Sequence, residues 1–287
     1  LQSLDDEVIR HLKSSLLSAS FSVSVPNVSW NLVGGVNVAK RALEEAVIWP
    51  STRSEDLRRM GVKPPRGILL VGPPGVGKTL LAQCFSGILP DLSQDEMLEV
   101  ALIYSWLGES RLSHLRPFRS PHHHVTPAGL LGGGSPLMPG EVSLSHQGVL
   151  FLDELPEYPR KTLDVMREPL ESGEITISRI HSNVKFPASF QLIAAMNPCP
   201  CGYLQSTTRE CSCSGDKIKR YQAAISGPLL DRIDMHLAVM PLPHHELTSN
   251  KNTGESSASI RKRVIAAHKI QLQRQGKNNT NLSAKEV

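Results

Sequence analysis

The stretch GPPGVGKT, Gly72 to Thr79, fits the spacing G-x-x-x-x-G-K-[ST] and follows the apolar run GILLV. A turn of this kind aims backbone N–H groups at phosphate oxygens, so Gly72, Pro73, Pro74, Gly75, Val76 and Gly77 are expected to form the cradle. Lys78 then reaches the β and γ oxygens, and the Thr79 hydroxyl ligates Mg²⁺. A glycine-rich turn with an incidental lysine is the plainer alternative, but a strand before the motif and a helix after it argue against that. Further on, VLFL leads into Asp153 and Glu154. A strand ending this way offers one carboxylate to Mg²⁺ and a second to an attacking water, with Asp153 on the metal and Glu154 polarising the water. QLIAAM leads into Asn197. If its strand lies between the other two, the amide can bond the γ-phosphate or the water; a turn-forming Asn is the alternative. In GPLLDRIDMH, Arg232 stands near the end of a short helix. It serves either as an arginine finger to a neighbouring subunit's nucleotide or in a salt bridge to Asp231 or Asp234.

Cys199, Cys201, Cys211 and Cys213 form two C-x-C pairs separated by nine residues. Four thiolates on one small loop satisfy tetrahedral Zn²⁺, although the spacing is tighter than the usual two to four intervening residues, and unliganded thiols stay open as the second reading. A zinc there would be structural, clamping the loop that leaves Asn197. Cys84 reads as a small buried residue. RLSHLRPFRSPHHH carries Arg111, Arg116, Arg119, Phe118 and three consecutive histidines. It could contact nucleic-acid phosphates and stack a base, line a pore, or be a solvated basic loop. Adjacent histidines are poorly placed to converge on one metal ion.

The elements that must position these residues are legible as alternating patterns. PPRGILLVG, GVLFL and QLIAAM read as buried strands, EITISRI and VKFPASF as paired strands. Helices are expected about Val38–Trp49, after the glycine-rich turn through Ala82, over Gln94–Leu107, over RKTLDVMREPLESG and over Ser259–Gln275. Apolar strands alternating with helices give an α/β fold, a parallel sheet covered on both faces. Residues 108–147 form a loop-rich insert too long for a simple connection. We divide the chain into an N-terminal helix and linker at 1–25, a core at 26–241 with the cysteine module at 198–214, and a C-terminal part at 242–287 that opens on a flexible linker and, on the resemblance given below, starts a lid. With 287 residues and 40% of them hydrophobic, the chain can bury a real core. A net charge of +4 allows nucleic acid as a partner without requiring it. No apolar run approaches the roughly 18 residues that span a bilayer, and the acidic start LQSLDDE is unlike a signal peptide, so a cytoplasmic location is expected.

Together these motifs resemble the AAA+ P-loop ATPases. From GILPDLSQDEMLEVALIYS through RPFRSPHH, GGGSPLMPGEVSLSHQGVLFLDELPEYPRKTLDVMREPLESGEITISR and FPASFQLIAAMNPCPCGYL to ISGPLLDRIDMH and RQGKNNTNLS, the chain is similar to the magnesium-chelatase-like ComM family. The resemblance implies ATP and Mg²⁺ as cofactors and a homohexamer acting as a DNA helicase on single-stranded or branched DNA. It also gives the phosphate loop to Gly72–Thr79, the paired acidic roles to Asp153 and Glu154, a sensor role to Asn197 and a finger role to Arg232. The N-terminal quarter, VPNVSWNLVGGVNVAKRALEEAVIWP with LRRMGVKPPRGILLVGPPGVGKTLLA, instead resembles an AAA module of the valosin-containing-protein kind. That resemblance places Gly34 and Gly35 near the adenine, and the chain reads as a composite joined near Gln83. A lid truncated before its second sensor arginine is expected to weaken turnover. A chelatase-type motor subunit, a protein-remodelling ATPase and an inactive binding module stand as alternatives to the DNA motor.

Overall fold

The short apolar runs become strands because each is bounded by turn residues and has two faces to bury. In the computed structural model they are β1 Gly67–Val71, β2 Phe118–Arg119, β3 Gly132–Gly133, β4 Met138–Pro139, β5 Val149–Leu152, β6 Glu174–Arg179, β7 Ser182–Pro187, β8 Gln191–Met196 and β9 Met235–Ala238. The structure describes residues 30, 36, 38–44, 66–109, 112–179, 182–204, 206, 209–241 and 255–275. The expected helix and linker at 1–25, Gly34, Gly35, Arg111 and the segment 242–254 lie outside them.

The main sheet has the order β2-β5-β8-β1-β9, and each of its neighbouring pairs is parallel. This is the expected α/β architecture, with β8 between the strand of the glycine-rich turn and the strand of Asp153. Residue parity shows that both faces are covered. Ile68, Leu70, Val149, Phe151, Ile193 and Ala195 pack with Leu81, Phe85 and Ile88 of the helix Lys78–Ile88 and with Ile260 and Val264 of the helix Ser257–Gln275. Leu69, Leu150, Leu152, Leu192 and Ala194 pack on the other face with Leu163, Met166, Ile225 and Leu229. Each fully buried Leu or Ile contributes about 1.5–3 kcal/mol, so both layers hold the sheet's strand ends in place.

Local chemistry adjusts the expected boundaries. The helix after the glycine-rich turn runs past Ala82 to Ile88, since Leu81, Cys84, Phe85 and Ile88 share one buried face. The next helix is Gln94–Ser105, opened by a capping box between Ser93 and Glu96. RKTLDVMREPLESG forms two helices, Arg160–Asp164 and Arg167–Ser172. Pro169 explains the break, because its ring would clash with the Val165 carbonyl in a continuous helix. The paired strands β6 and β7 are antiparallel as expected. The insert is less loose than its composition suggests: it supplies β2 to the edge of the main sheet, the antiparallel pair β3–β4, and short helices at Pro127–Leu131 and Glu141–Leu144. Among the described residues no helix is long and apolar enough to cross a membrane.

Candidate active site

Parallel strands deliver their C-terminal ends to one edge of the sheet, and the candidate residues gather there. β1 runs into the turn Gly72–Gly77, where Gly75 and Gly77 have φ of 79° and 87°. Gly77 immediately precedes the helix Lys78–Ile88, so its left-handed backbone turns the cradle into the helix's first turn. Lys78 is buried, and its Nζ donates to the carbonyls of Gly72 at 2.7 Å and Pro73 at 2.8 Å and to Asn197 Oδ1 at 3.1 Å. All three acceptors are neutral. Burial pushes the Lys78 ammonium below its ordinary range, with the Asp153 charge opposing that shift. The Thr79 hydroxyl donates to Asp153 Oδ2 at 2.7 Å. Two oxygens at that separation match adjacent ligands in an octahedral Mg²⁺ shell, whose edge is about 2.9 Å for bonds of about 2.05 Å. The structure therefore brings Lys78, Thr79, Asp153 and Asn197 together.

Glu154 follows at φ 53°, a left-handed backbone that turns the chain sharply off β5. Its Oε2 lies 3.2 Å from His123 Nδ1, a contact the sequence reading did not anticipate. Tyr158 fixes that contact from behind: it is buried, its hydroxyl donates to the Pro121 carbonyl at 2.7 Å, and its ring stands edge-on to His123. Burial, with the charges of Asp153 and Glu154, raises the Tyr158 phenol and keeps it a donor. No spacing in the sequence links His123 to Glu154, because loop folding alone brings them together. The three histidine rings also cluster, with one ligand atom from each of His122, His123 and His124 within 4.8 Å of the others, contrary to the expectation that neighbours diverge.

Arg232 is placed elsewhere. Its carbonyl lies against Gly67, at the start of β1, while the phosphate cradle leaves the other end of that strand, about 13 Å away at about 3.3 Å per residue. Its guanidinium pairs with Glu171, not with Asp231 or Asp234, the partners weighed from the sequence. Asp234 is engaged instead by the backbone N–H groups of Arg66 and Gly67.

The arginines weighed as nucleic-acid contacts have carboxylate partners within the fold. Arg116 donates to the carbonyls of Pro90 and Gln147 and pairs with Glu96 at 3.3 Å, and Arg119 forks onto Glu141 through two bonds of 2.6 Å. On the helix Ser257–Gln275, Arg261 also pairs with Asp91, and Arg263 with Glu44 and Glu255. The pairs of Arg116 and Arg119 are the better covered, whereas those of Arg261 and Arg263 are partly exposed and correspondingly weak. By contrast, Lys217, Lys219 and Arg220 on the exposed helix Gly215–Gln222 have no carboxylate partner among the described residues.

The four cysteines converge. Cys199 Sγ lies 3.4 Å from Cys201 Sγ and 3.7 Å from Cys211 Sγ, Cys201 lies 3.5 Å from Cys211, and all four sulfurs lie within 4.8 Å of one another. All are unbridged. A tetrahedron of Zn–S bonds of about 2.3 Å has S···S edges of about 3.8 Å, so the group is close to a zinc donor set. Backbone N–H groups, that of Tyr203 first, hold the Cys201 thiol down to about 5, while Cys211, despite the Cys213 N–H, is pushed up to about 12 by desolvation and then by the neighbouring sulfurs. Cys84 is fully buried, and burial pushes its thiol up to about 11, consistent with a packing role.

A glycine-rich turn on a central parallel strand, an amide on the next strand and paired carboxylates on the one beyond define an α/β module of the AAA+ P-loop class. The chain belongs to the magnesium chelatase family: the family described as "Magnesium chelatase, subunit ChlI" matches residues 61–247. It is 49% identical over 223 residues to the uncharacterized protein YifB of Salmonella typhimurium, covering 77% of this chain and 44% of that protein. Competence protein ComM of Haemophilus influenzae is 46% identical over 223 residues, 77% of this chain and 43% of ComM. A Cell division cycle protein 48 homolog of Archaeoglobus fulgidus is 40% identical over 124 residues, 42% of this chain and 16% of that protein. The chain thus spans less than half the length of these relatives.

Proposed function

We propose that this chain is the ATPase module of a ring-forming motor of the ComM type, which couples hydrolysis to movement along single-stranded or branched DNA. The observation that carries the nucleotide part is the convergence of Lys78, Thr79, Asp153 and Asn197 at the ends of three adjacent parallel strands. Gly72, Pro73, Pro74, Gly75, Val76 and Gly77 wrap the phosphates, and Lys78 exchanges its neutral carbonyl partners for β and γ oxygens. Thr79 and Asp153 would hold Mg²⁺, which neutralises charge on the phosphates when bound. Glu154 orients the attacking water, and Asn197 bonds the γ-phosphate while keeping Lys78 in register. Arg232 stands too far from its own cradle to reach it, which supports a role at a neighbouring subunit's nucleotide in a hexamer. Gly34 and Gly35 are assigned to the adenine on the resemblance alone.

The DNA part rests on the similarity to ComM. The cations best available for backbone contacts are Lys217, Lys219 and Arg220, in place of the paired arginines of the insert. Cys199, Cys201, Cys211 and Cys213 hold one structural Zn²⁺ in this reading. The internal pairing of Arg116, Arg119, Arg261 and Arg263 favours a second reading, a motor acting on protein partners as a chelatase or remodelling subunit would.

ATPase assays with and without single-stranded and four-way-junction DNA test the proposal. Glu154→Gln should bind MgATP while turnover falls by about 10²–10⁴-fold; turnover at the parental rate removes Glu154 from its role. DNA stimulation, with a slope of log affinity against log salt that falls by about one for each of Lys217, Lys219 and Arg220 replaced, supports the DNA motor. DNA-independent ATPase activity favours the second reading.

A further inference from the structure

The cysteine module touches the phosphate cradle at two points. Asn197, two residues before Cys199, accepts from Lys78 Nζ at 3.1 Å. On the far side of the first C-x-C pair, Gly202 is buried against Pro74, so close that a Cβ at Gly202 would lie 2.4 Å from Pro74 Cδ. Gly202 also has φ 83°, and its N–H donates to the Cys199 carbonyl at 2.9 Å, closing the turn that holds both cysteines. The second pair is tied to the same turn, since the Cys201 N–H points at Cys213 Sγ at 3.4 Å. Gln222, at the end of the helix that follows Cys213, donates to the Pro198 carbonyl at 3.1 Å. The module therefore forms a bracket that grips the cradle at Lys78 and at Pro74.

We propose that the four-cysteine module is a positioning element of the phosphate loop, so that zinc at the thiolates and phosphate at Gly72–Thr79 strengthen each other's binding. This inference rests on the zinc reading of the module. Metal at four thiolates fixes the turn from Cys199 to Gly202, and that turn fixes Pro74 and Asn197. With the thiolates unliganded, the ties between the two pairs among the described residues are weak sulfur contacts and the one Gln222 hydrogen bond to Pro198, and more of the ordering of the cradle falls to the nucleotide itself. An ordering cost removed by one ligand is returned to the other, and the coupling is reciprocal. The conformation that accepts phosphate is the one that presents the four sulfurs.

The test uses the full chain under reducing conditions, first purified without added zinc and assayed for metal, then divided into zinc-loaded and chelator-stripped samples in Mg²⁺ buffer. Mg-ADP, which is not turned over, is titrated into both by calorimetry, and zinc affinity is measured by competition with a chromophoric chelator with and without saturating Mg-ADP. We expect stoichiometric zinc, Mg-ADP affinity weakened by about 5- to 150-fold on stripping, and an equal gain in zinc affinity with Mg-ADP. Gly202→Ala keeps every thiol but pushes a methyl into Pro74 at a backbone angle that disfavours it. It should retain zinc and bind Mg-ADP several-fold more weakly, which decides the matter even if the stripped protein unfolds. Absence of zinc with four titratable thiols overturns the zinc reading. Stoichiometric zinc with the same Mg-ADP affinity in loaded, stripped and Gly202→Ala protein overturns the coupling and leaves the zinc reading intact.

Discussion

Lys78 and the arginines of the insert are cations on the same chain, yet they are held in opposite ways. Lys78 rests on two backbone carbonyls and an amide, all neutral, and burial works against its charge. Arg116 and Arg119 rest on Glu96 and Glu141 in geometry that completes their charge. A buried cation without an anion retains its attraction for one, whereas a cation already forked onto a carboxylate gains little by exchanging it for a phosphate. The cradle is therefore poised for a ligand, and the insert is fastened to the fold. Charge clusters in a sequence locate cations; only their partners decide which of them are for sale.

The largest expected effect separates the two regions directly. Lys78→Ala should weaken Mg-ADP binding by more than about 100-fold, the loss of charge-assisted bonds worth about 3 kcal/mol together, with little change in the urea midpoint. Arg119→Ala should do the reverse, leaving nucleotide affinity within about twofold while the unpaired Glu141 costs about 2 kcal/mol or more of stability. Calorimetry and urea melts on both variants check this. Equal losses of both properties in either variant would break the distinction.

An effect of intermediate size sharpens it at Arg232, whose carboxylate partner Glu171 is itself well exposed, so the pair is weak and exchangeable. Arg232→Ala should leave stability within about 0.5 kcal/mol yet lower ATPase activity. Mixing it with Lys78→Ala chains should restore part of the activity, because a mixed ring contains interfaces with an intact cradle and an intact finger. Lack of recovery in co-assembled rings would place Arg232 outside catalysis.

His123 gives a smaller effect. His123→Ala should lower kcat by about tenfold with KM nearly unchanged, as expected for a group that steers Glu154 in the transition state alone, and His123→Asn should recover part of the loss. A change in KM alone would indicate a role in binding.

What the sequence made legible follows the same division. Gly72–Thr79, the strand before Asp153 and the strand before Asn197 follow from local spacing and apolar runs, because one stretch of chain carries each signal; the place of β8 between β5 and β1 is set by the fold. The partners do not. Glu96, Glu141 and Glu171 are ordinary exposed-looking acids until the fold sets them against Arg116, Arg119 and Arg232. His123 meets Glu154, and Gly202 meets Pro74, through loop closures that no periodicity encodes. β2 was hidden for another reason: a strand of two residues is too short to show alternation.

The smallest effect concerns the other fastening of the insert. His146 is buried, and its Nδ1 accepts the Ser189 N–H at 3.0 Å. A backbone N–H can only donate, so the ring proton sits on Nε2 and points at Glu99 Oε2, 3.1 Å away, where Gln147 Nε2 donates as well. The His146 hydrogen bond, aided by Gln147, holds the Glu99 carboxyl below its ordinary range despite partial burial. A carboxyl with a depressed folded pKa adds stability that is fully present above the unfolded value, about 4.3, and is lost as pH falls through the lower folded value. Half of the Glu99 side chain faces solvent, which keeps the contribution under about 1 kcal/mol. Glu99→Gln should therefore be slightly less stable than the parent in urea at pH 7, and the difference should shrink as both are measured toward pH 3. A difference that stays constant over that range would mean that Glu99 holds the insert by packing alone, and the contrast between a fastened insert and a poised cradle would then rest on Arg116 and Arg119.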